Sequence, residues 1–194
     1  MVRWEPGARE RLQAAALDLY ASKGFEETTV VEIAQSVDLT ERTFFRHFVD
    51  KREVIFAGQD VFQQGFIDGV ADAPHGASPL EIVTSAVLAG SGFFTEDRRT
   101  HSRQRSAVIT ATPELREREL LKMASLAAAI AGALRERGVP DPAATLAAES
   151  GTTVFRMAFE RWLEPDSKRT LIELEREMFA ELAALTGSTA RSDQ

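Results

Sequence analysis

The most informative functional spacing in this sequence is that of two arginines one helical turn apart, whose guanidinium groups could bind a partner together. Arg42 and Arg46 stand four residues apart, so a helix would project both guanidinium groups from one face. A guanidinium can donate two parallel hydrogen bonds to guanine O6 and N7, or hold a phosphate oxygen. Residues 40–52 carry four cationic side chains against two carboxylates, although the whole chain has a net charge of -7. This pattern predicts a modest nucleic-acid-binding face, which would need two copies for tight binding.

The surrounding sequence places these arginines on the second of two short helices. Thr29 and Glu32 have the spacing of a capping box, which predicts a helix start. Apolar residues then recur at helical spacing as far as Val37. The pattern breaks at residues 38–39, and Thr40 can cap the next helix. The segment therefore predicts two helices separated by a tight turn.

The second of these helices should bury an aromatic side and expose a basic one. Phe44 and Phe48 recur at helical spacing, and if they point inward, both arginines point outward. Two short helices joined by a tight turn, the second basic on its outer side, form a helix-turn-helix motif. The second helix of this motif reads base edges in the DNA major groove.

Length and composition favour a globular protein of one domain or two small ones. The chain has 194 residues, of which 44% are hydrophobic and 27% charged. It has no cysteine, which excludes disulfides, thiolate metal ligands and thiol redox chemistry. The N-terminal residues lack the apolar core of a signal peptide, and the longest apolar run is far shorter than the roughly 20 residues of a membrane helix. We therefore expect a cytoplasmic protein without membrane contact, and no cofactor or metal is predicted.

Capping signals and apolar periodicity predict an all-α fold of about nine helices, without a period-2 strand. The fourth predicted helix is long, from Asp50 to about Asp72, and Gly58, Gly65 and Gly69 weaken it. We expect a bend or a close packing contact there. The predicted organisation is an N-terminal three-helix domain with the helix-turn-helix motif, residues 1–50, a larger helical domain, residues 51–186, and a disordered tail, residues 187–194.

The segment ALDLYASKGFEETTVVEIAQSVDLTERTFFRHFVDKREVIF resembles the N-terminal domain of TetR-family transcriptional regulators. The resemblance covers about residues 8–56, from the Gly-Phe after the first helix to the Thr-Phe-Phe, His-Phe and Asp-Lys pairs. It implies a homodimer that binds operator DNA and releases it when a small molecule binds the C-terminal domain. Asp38 stands where the family turn usually has Gly, and Phe45 where Tyr is common, so one tyrosine hydroxyl contact to phosphate is lost.

Helix geometry and the resemblance together predict the DNA contacts. Arg42 is the best candidate for guanine and Arg46 for guanine or phosphate, whereas Glu41 either accepts from cytosine or favours the helix N-terminus. Lys51 lies in a first helical turn, where the dipole disfavours a cation, which predicts a phosphate opposite. His47 matches a family position that contacts phosphate, and a solvated side chain is the alternative. The predicted DNA-binding residues are Thr29, Thr40, Glu41, Arg42, Thr43, Phe45, Arg46, His47 and Lys51.

The resemblance also implies a ligand pocket in the C-terminal helices, for which aromatic residues are the candidates. Taken singly, each aromatic is better explained as plain core, but the set indicates an apolar cavity for a hydrophobic ligand. The basic residues 98–105 are either a solvated helix face or a mouth for an anionic head group. The predicted ligand-binding residues are Phe62, Phe66, Phe93, Phe94, Arg103, Met123 and Phe155.

The last two helices are the predicted dimer interface, because small residues allow close helix approach and large apolar residues supply area. A two-fold dimer would present two recognition helices about 34–36 Å apart, or farther on a longer site, to a palindromic operator. The predicted interface residues are Ala147, Gly151, Phe155, Ala158, Trp162, Leu174, Met178 and Leu182.

These residues bear on three classes of function. The first is a ligand-responsive repressor that binds a palindromic double-stranded operator as a homodimer and is released by a small hydrophobic effector. An enzyme is disfavoured because no nucleophile elbow, phosphate loop, HExxH or cysteine-based motif is present. The remaining alternative is a dimeric small-molecule-binding protein without DNA-binding activity, against which Arg42, Arg46 and Lys51 argue.

Overall fold

The computed structural model describes residues 7–187 and is all-α, as predicted. Over this range it has ten α-helices, one 3₁₀ turn at Glu96–Arg98, and no strand. No helix in the same range combines the length and apolar character needed to cross a lipid bilayer. The helices are α1 Ala8–Lys23, α2 Val30–Gln35, α3 Glu41–His47, α4 Lys51–Val54, α5 Gln59–Asp72, α6 Pro79–Ser91, α7 Arg99–Ala111, α8 Pro113–Glu136, α9 Ala143–Trp162 and α10 Leu171–Gly187.

The chain packs into two units. The first unit runs to Gln59 and also includes Thr100–Glu119, and the second comprises Asp60–Arg99 and the chain from Leu120 onward. The packing therefore does not divide at residue 50, because Val54, Ile55 and Phe56 are buried in the first unit's core. Later residues complete that core: Val108, Ile109 and Leu115.

The predicted fourth helix is two helices. It breaks after Val54, and Gly58 adopts a φ of 88°, a left-handed conformation that glycine reaches without steric cost. Ile55 and Phe56, at the break, point into the first unit's core. This division gives ten helices where nine were predicted. At the other end α10 continues through Gly187, so the predicted tail cannot begin there, and residues 188–194 lie outside the described part of the chain.

Local hydrogen bonds explain where the helices of the first unit begin. The Thr29 hydroxyl accepts from the Glu32 amide at 3.2 Å, and the Glu32 carboxylate accepts from the Thr29 amide at 2.8 Å, which forms the predicted capping box. Asp38 has a φ of 55°, the left-handed turn conformation expected of it. The Thr40 hydroxyl then accepts from the Thr43 amide at 3.2 Å and starts α3. These bonds set the angle between α2 and α3.

The second unit is built on the mutual packing of α6, α9 and α10. Gly151 on α9 permits a close approach to α6, because a Cβ at this position would overlap a methyl group of Val83. Leu126, Ile130 and Leu134, spaced along one face of α8, are fully buried in the same core. The aromatic residues proposed for ligand binding lie within this unit.

Candidate nucleic-acid interface

Helix α3 buries one face and exposes the other, as the sequence predicts. Phe44 is 0% and Phe48 5% exposed, and both belong to the core of the first unit. Arg42 and Arg46 are exposed on the opposite side. The amphipathic orientation on which the DNA-binding interpretation depends is thereby confirmed.

An exposed aromatic ring lies between the two arginines. Phe45 is 51% exposed, and the edge-to-face contact of its ring with Phe44, at 5.5 Å between centroids, fixes its position. Val49, just beyond α3, is 84% exposed and was not among the predicted contacts. An exposed Phe and an exposed Val offer apolar surface to thymine methyl groups or to sugar edges.

The threonines at the helix starts use their hydroxyl groups as caps. Besides accepting from the Thr43 amide, the Thr40 hydroxyl lies 3.0 Å from the Thr43 hydroxyl. The Thr29 hydroxyl lies 3.0 Å from a Glu32 carboxylate oxygen. Thr29 and Thr40 remain exposed, so capping and phosphate contact are compatible. Glu41, in the first turn of α3, is exposed beside the positive end of the helix dipole.

His47 has an unused nitrogen. The side chain is half-buried, and Nε2 is buried without a hydrogen-bond partner among residues 7–187. Its ring lies 6.4 Å from that of Phe48, which fixes its orientation at the end of α3. A bond from Nε2 to a phosphate oxygen approaching α3 would require the imidazole to turn outward, because this atom is buried.

Lys51 has a different role from the predicted phosphate contact. Its Nζ donates to the carbonyl oxygens of Phe25 at 2.9 Å, Thr28 at 3.2 Å and Glu26 at 3.3 Å. An ammonium group has three donors, so these bonds use its full capacity. The carbonyl groups, rather than a phosphate, explain a cation in the first turn of α4.

Two arginines hold α4 in place. Arg105 belongs to the basic segment predicted as a solvated face or a ligand mouth, and Arg118 was missed as a functional residue. Arg105 donates from Nε to the Ile55 carbonyl and from Nη1 to Glu119, each at 3.1 Å. Arg118 donates to Glu53 at 2.6 Å. Residues 98–105 are therefore not a uniform solvated face, since burial lowers the pKa of Arg105. Only their contacts distant in sequence reveal this role.

Four of the predicted ligand-binding residues come together in the second unit. Phe62 lies 4.9 Å from Phe66, 5.6 Å from Phe94 and 5.5 Å from Phe155, measured between ring centroids. Two rings missed by the prediction join them. We call the set the aromatic cluster: Phe62, Phe66, Phe94, Phe155, Phe159 and Trp162.

The other predicted ligand-binding residues are not members of the aromatic cluster. The Phe93 ring lies 5.3 Å from that of Phe94, between centroids, but Phe93 is exposed and the Arg98 guanidinium lies 4.1 Å from its ring centroid. Met123 is half-buried against the second unit's core. Arg103 belongs to the first unit, which leaves its predicted role untested.

Comparison with known families now identifies the chain. The family model for bacterial regulatory proteins of the tetR family matches residues 12–57, and the MftR C-terminal domain matches residues 77–186. The chain belongs to the TetR family of transcriptional regulators. Its helix-turn-helix motif coincides with the first match, and the aromatic residues at positions 93–162 lie within the second.

Relatives of this TetR-family chain differ in how much of it they cover. TcmR of Streptomyces glaucescens is 37% identical over 84 residues, 43% of this chain, but only 37% of TcmR is spanned. MftR of Mycobacterium tuberculosis is 26% identical over 155 residues, 78% of each protein. The structure of FadR from Thermus thermophilus, a TetR-family repressor in complex with lauroyl-CoA, is 23% identical with a TM-score of 0.51. The alignment covers 90% of this chain and 92% of that one, and it shows a common fold.

Most residues of the predicted dimer interface belong instead to the core of this TetR-family chain. A residue buried within one chain has no surface left for a partner, and small residues such as Gly151 serve packing between α6 and α9 instead. Met178 and Leu182 are half-buried. The predicted interface residues buried within the chain are Ala147, Gly151, Phe155, Ala158, Trp162, Leu174.

Other side chains of the same two helices are exposed. Leu146 and Met157 on α9 and Leu185 on α10 are large, apolar and exposed. Sequence periodicity alone does not separate these positions from the core positions, because α9 carries apolar residues on more than one face. They replace the buried residues as candidates for contact with a second TetR-family chain.

A buried carboxyl group in the second unit escaped the sequence analysis. Glu175 is 0% exposed, and the hydroxyl of Ser91, itself buried, donates to its Oε1. Oε2 has no hydrogen-bond partner in the described part of the chain. Burial raises the pKa of Glu175 to about 8, and the bond from Ser91 offsets only part of this effect.

Proposed function

We propose that this TetR-family regulator is a repressor that binds a palindromic operator as a homodimer and is released by a small hydrophobic ligand. The observation that carries the proposal is the orientation of α3, with Phe44 buried and Arg42 and Arg46 exposed. A helix anchored on one side and basic on the other can enter a major groove without rearrangement.

The proposed DNA contacts divide into base readout and phosphate contact. Arg42, in the first turn of α3, is assigned to a guanine, and Arg46 to a guanine or a phosphate. Thr40, Thr43 and His47 are assigned to phosphates. Thr40 is exposed at the start of α3, whereas the unused His47 nitrogen is buried and must turn outward to make this contact. Lys51 is left out of the contacts because three carbonyl groups already hold it.

The proposed homodimer uses the exposed sides of α9 and α10, with Leu146, Met157 and Leu185 as its apolar contacts. The net charge of -7 and the small basic face favour two copies on one DNA, because each face alone supplies few phosphate contacts. A two-fold axis then requires an operator with two inverted half-sites.

The proposed effector is a molecule with a long apolar chain. The aromatic cluster makes the interior of the second unit strongly apolar, and the structure of T. thermophilus FadR contains lauroyl-CoA. An acyl thioester of coenzyme A is accordingly the proposed ligand class. Arg118 of α8 pairs with Glu53 of α4, so movement of α8 on ligand binding would be transmitted to the helix that follows α3.

The test is selection of bound sequences from a random DNA pool, followed by mobility-shift titration of the selected site. We expect a palindrome, salt-dependent binding, and release on addition of lauroyl-CoA. Failure to enrich any sequence would favour a small-molecule-binding protein without DNA-binding activity.

A variant pair makes the same test residue-specific. Arg42→Ala should weaken binding to the selected site by about 1–3 kcal/mol and relax the sequence preference at one base position. Arg98→Ala removes another exposed arginine, which lies over the Phe93 ring in the second unit, and should leave binding unchanged. Equal losses on selected and random DNA for Arg42→Ala would reject its assignment to a base.

A further inference from the structure

The Glu175 carboxyl group is only partly hydrogen-bonded, and this lowers the stability of the folded protein. It is fully buried, and Ser91 is the hydrogen-bond donor that the structure shows for it. Its Oε2 lacks a partner among the described residues. A buried polar group in this state destabilises a fold, whereas a Leu at the same position would not. Packing alone therefore gives no reason for a carboxyl group here.

The surroundings favour the neutral form of this carboxyl group. Its pKa is raised to about 8 by burial, so near neutral pH it holds a proton. Oε1 already accepts from Ser91, which leaves Oε2 as the oxygen that carries the proton. The result is a buried O–H donor without an acceptor among the described residues. Such a group discriminates between ligands that bring an acceptor oxygen and ligands that do not.

Ser91 connects this donor to the aromatic cluster. The Ser91 carbonyl accepts from the Phe94 amide at 2.9 Å, so the two residues share one turn of chain. The Phe94 ring lies 4.9 Å from Phe159 and 6.1 Å from Trp162, between centroids. The carboxyl group and the rings thus belong to one contiguous part of the second unit.

We propose that the Glu175 carboxyl is the polar anchor of the effector site and donates a hydrogen bond to an uncharged carbonyl oxygen on an apolar chain. The ligand class is then a thioester, ester or ketone. A hydrophobic amine, protonated near neutral pH, brings no acceptor, and a free carboxylate would bury a charge. The inference rests on the proposed effector role of the second unit and identifies the ligand group that this unit recognises.

Lauroyl-CoA and its thioether analogue S-dodecyl-CoA, which lacks the carbonyl oxygen, form a matched pair of probes. In calorimetric titrations at pH 7, the full-length wild type should bind lauroyl-CoA roughly three- to tenfold more tightly than the thioether. Glu175→Leu should abolish this ratio and leave the affinity for S-dodecyl-CoA unchanged. Glu175→Gln keeps an N–H donor and should retain most of the ratio. An unchanged ratio in Glu175→Leu overturns the inference.

Two further measurements separate anchoring from folding. Glu175→Leu should unfold at the same or a higher denaturant concentration than the wild type, because it removes a buried polar group. If Glu175→Leu does not fold, infrared spectroscopy decides. The C=O band of a protonated carboxyl, missing in Glu175→Gln, should shift when lauroyl-CoA binds the wild type but not when S-dodecyl-CoA binds. If the band does not shift when lauroyl-CoA binds, the inference is overturned.

The outcomes distinguish this inference from the proposed function. If both probes bind the wild type with equal affinity and release DNA, the effector class stands and the anchor is rejected. If neither probe binds, the proposed acyl-thioester effector and the anchor are rejected together, while sequence-specific DNA binding stands on its own measurement.

Discussion

The ammonium group of Lys51 lies 2.9 Å from the carbonyl oxygen of Phe25 and 4.3 Å from the centroid of its ring. The same aromatic ring packs against Tyr20 at 5.1 Å, and the Tyr20 hydroxyl donates to the Lys51 carbonyl at 2.6 Å. Lys51 thus joins the start of α4 to the segment between α1 and α2. A residue expected to bind DNA is instead a cross-link within the DNA-binding unit.

Lys51→Met should lower the stability of the protein, because three carbonyl groups lose a charged donor while the apolar stem is kept. The expected loss is about 1–3 kcal/mol in free energy of unfolding, measured by denaturant titration. Lys23→Met is the matched control, since Lys23 forms an exposed pair with Glu32, and should change stability by less than about 1 kcal/mol. The slope of DNA affinity against salt should not change in either variant. If Lys51→Met left the stability unchanged and reduced the salt slope of DNA affinity by about one, Lys51 would again be assigned to a phosphate.

Phe45→Tyr should strengthen DNA binding. The exposed ring already has the position of the tyrosine common in the family, and a hydroxyl would add a neutral hydrogen bond to phosphate worth about 0.5–1.5 kcal/mol. Mobility-shift titration on the selected operator measures the gain. Phe93→Tyr, at a similarly exposed ring in the second unit, should have no effect. A weaker or equal affinity for Phe45→Tyr would place the ring away from the phosphates.

Met157→Glu should weaken the proposed homodimer without unfolding the chain. Met157 is exposed on α9, so a carboxylate there is solvated in the monomer but buried and repelled by its copy across a two-fold interface. Analytical ultracentrifugation should show monomer at concentrations where the wild type is dimeric. Leu120→Glu changes an exposed apolar residue of α8 and is the control. A dimer that persists in Met157→Glu would move the interface elsewhere.

The stability of the wild type should fall as pH rises from about 4.5 to about 8, the ordinary and raised pKa values of Glu175. Between these values the unfolded carboxyl loses its proton and the folded one keeps it, so rising pH favours unfolding. Glu175→Gln has no proton to lose there. The stability difference between the two proteins should change by several kcal/mol across this window and level off outside it.

Thermal unfolding at several pH values measures this difference. Glu173→Gln is the matched control on the same helix. Hydrogen bonds from Thr170 hold the pKa of Glu173 below its ordinary value, so its carboxylate is ionised through the whole window. Its substitution should leave the slope between pH 5 and pH 8 as it is in the wild type. A wild-type slope identical to that of Glu175→Gln would mean that Glu175 ionises while folded.

The helix-turn-helix motif could be predicted from the sequence, because short-range interactions form it. The capping bonds of Thr29 and Thr40 connect residues three apart, and Asp38 takes its turn conformation from its own backbone. The burial of Phe44 and Phe48 follows from helical period, so the outward direction of Arg42 and Arg46 could be predicted without a structure. Each of these features depends on neighbours within one or two turns.

Partners far along the chain could not be predicted from the sequence, because they depend on how distant segments pack. The carbonyl groups that hold Lys51 lie 23 to 26 residues away, and Ser91 lies 84 residues from Glu175. The apolar face of α9 that packs inside the chain likewise depends on α6 and α10 rather than on α9. A periodic pattern shows that a helix has an apolar face, but burial is set by what packs against it. Ion pairs, buried carboxyl groups and free surfaces are therefore decided by the packing of distant segments.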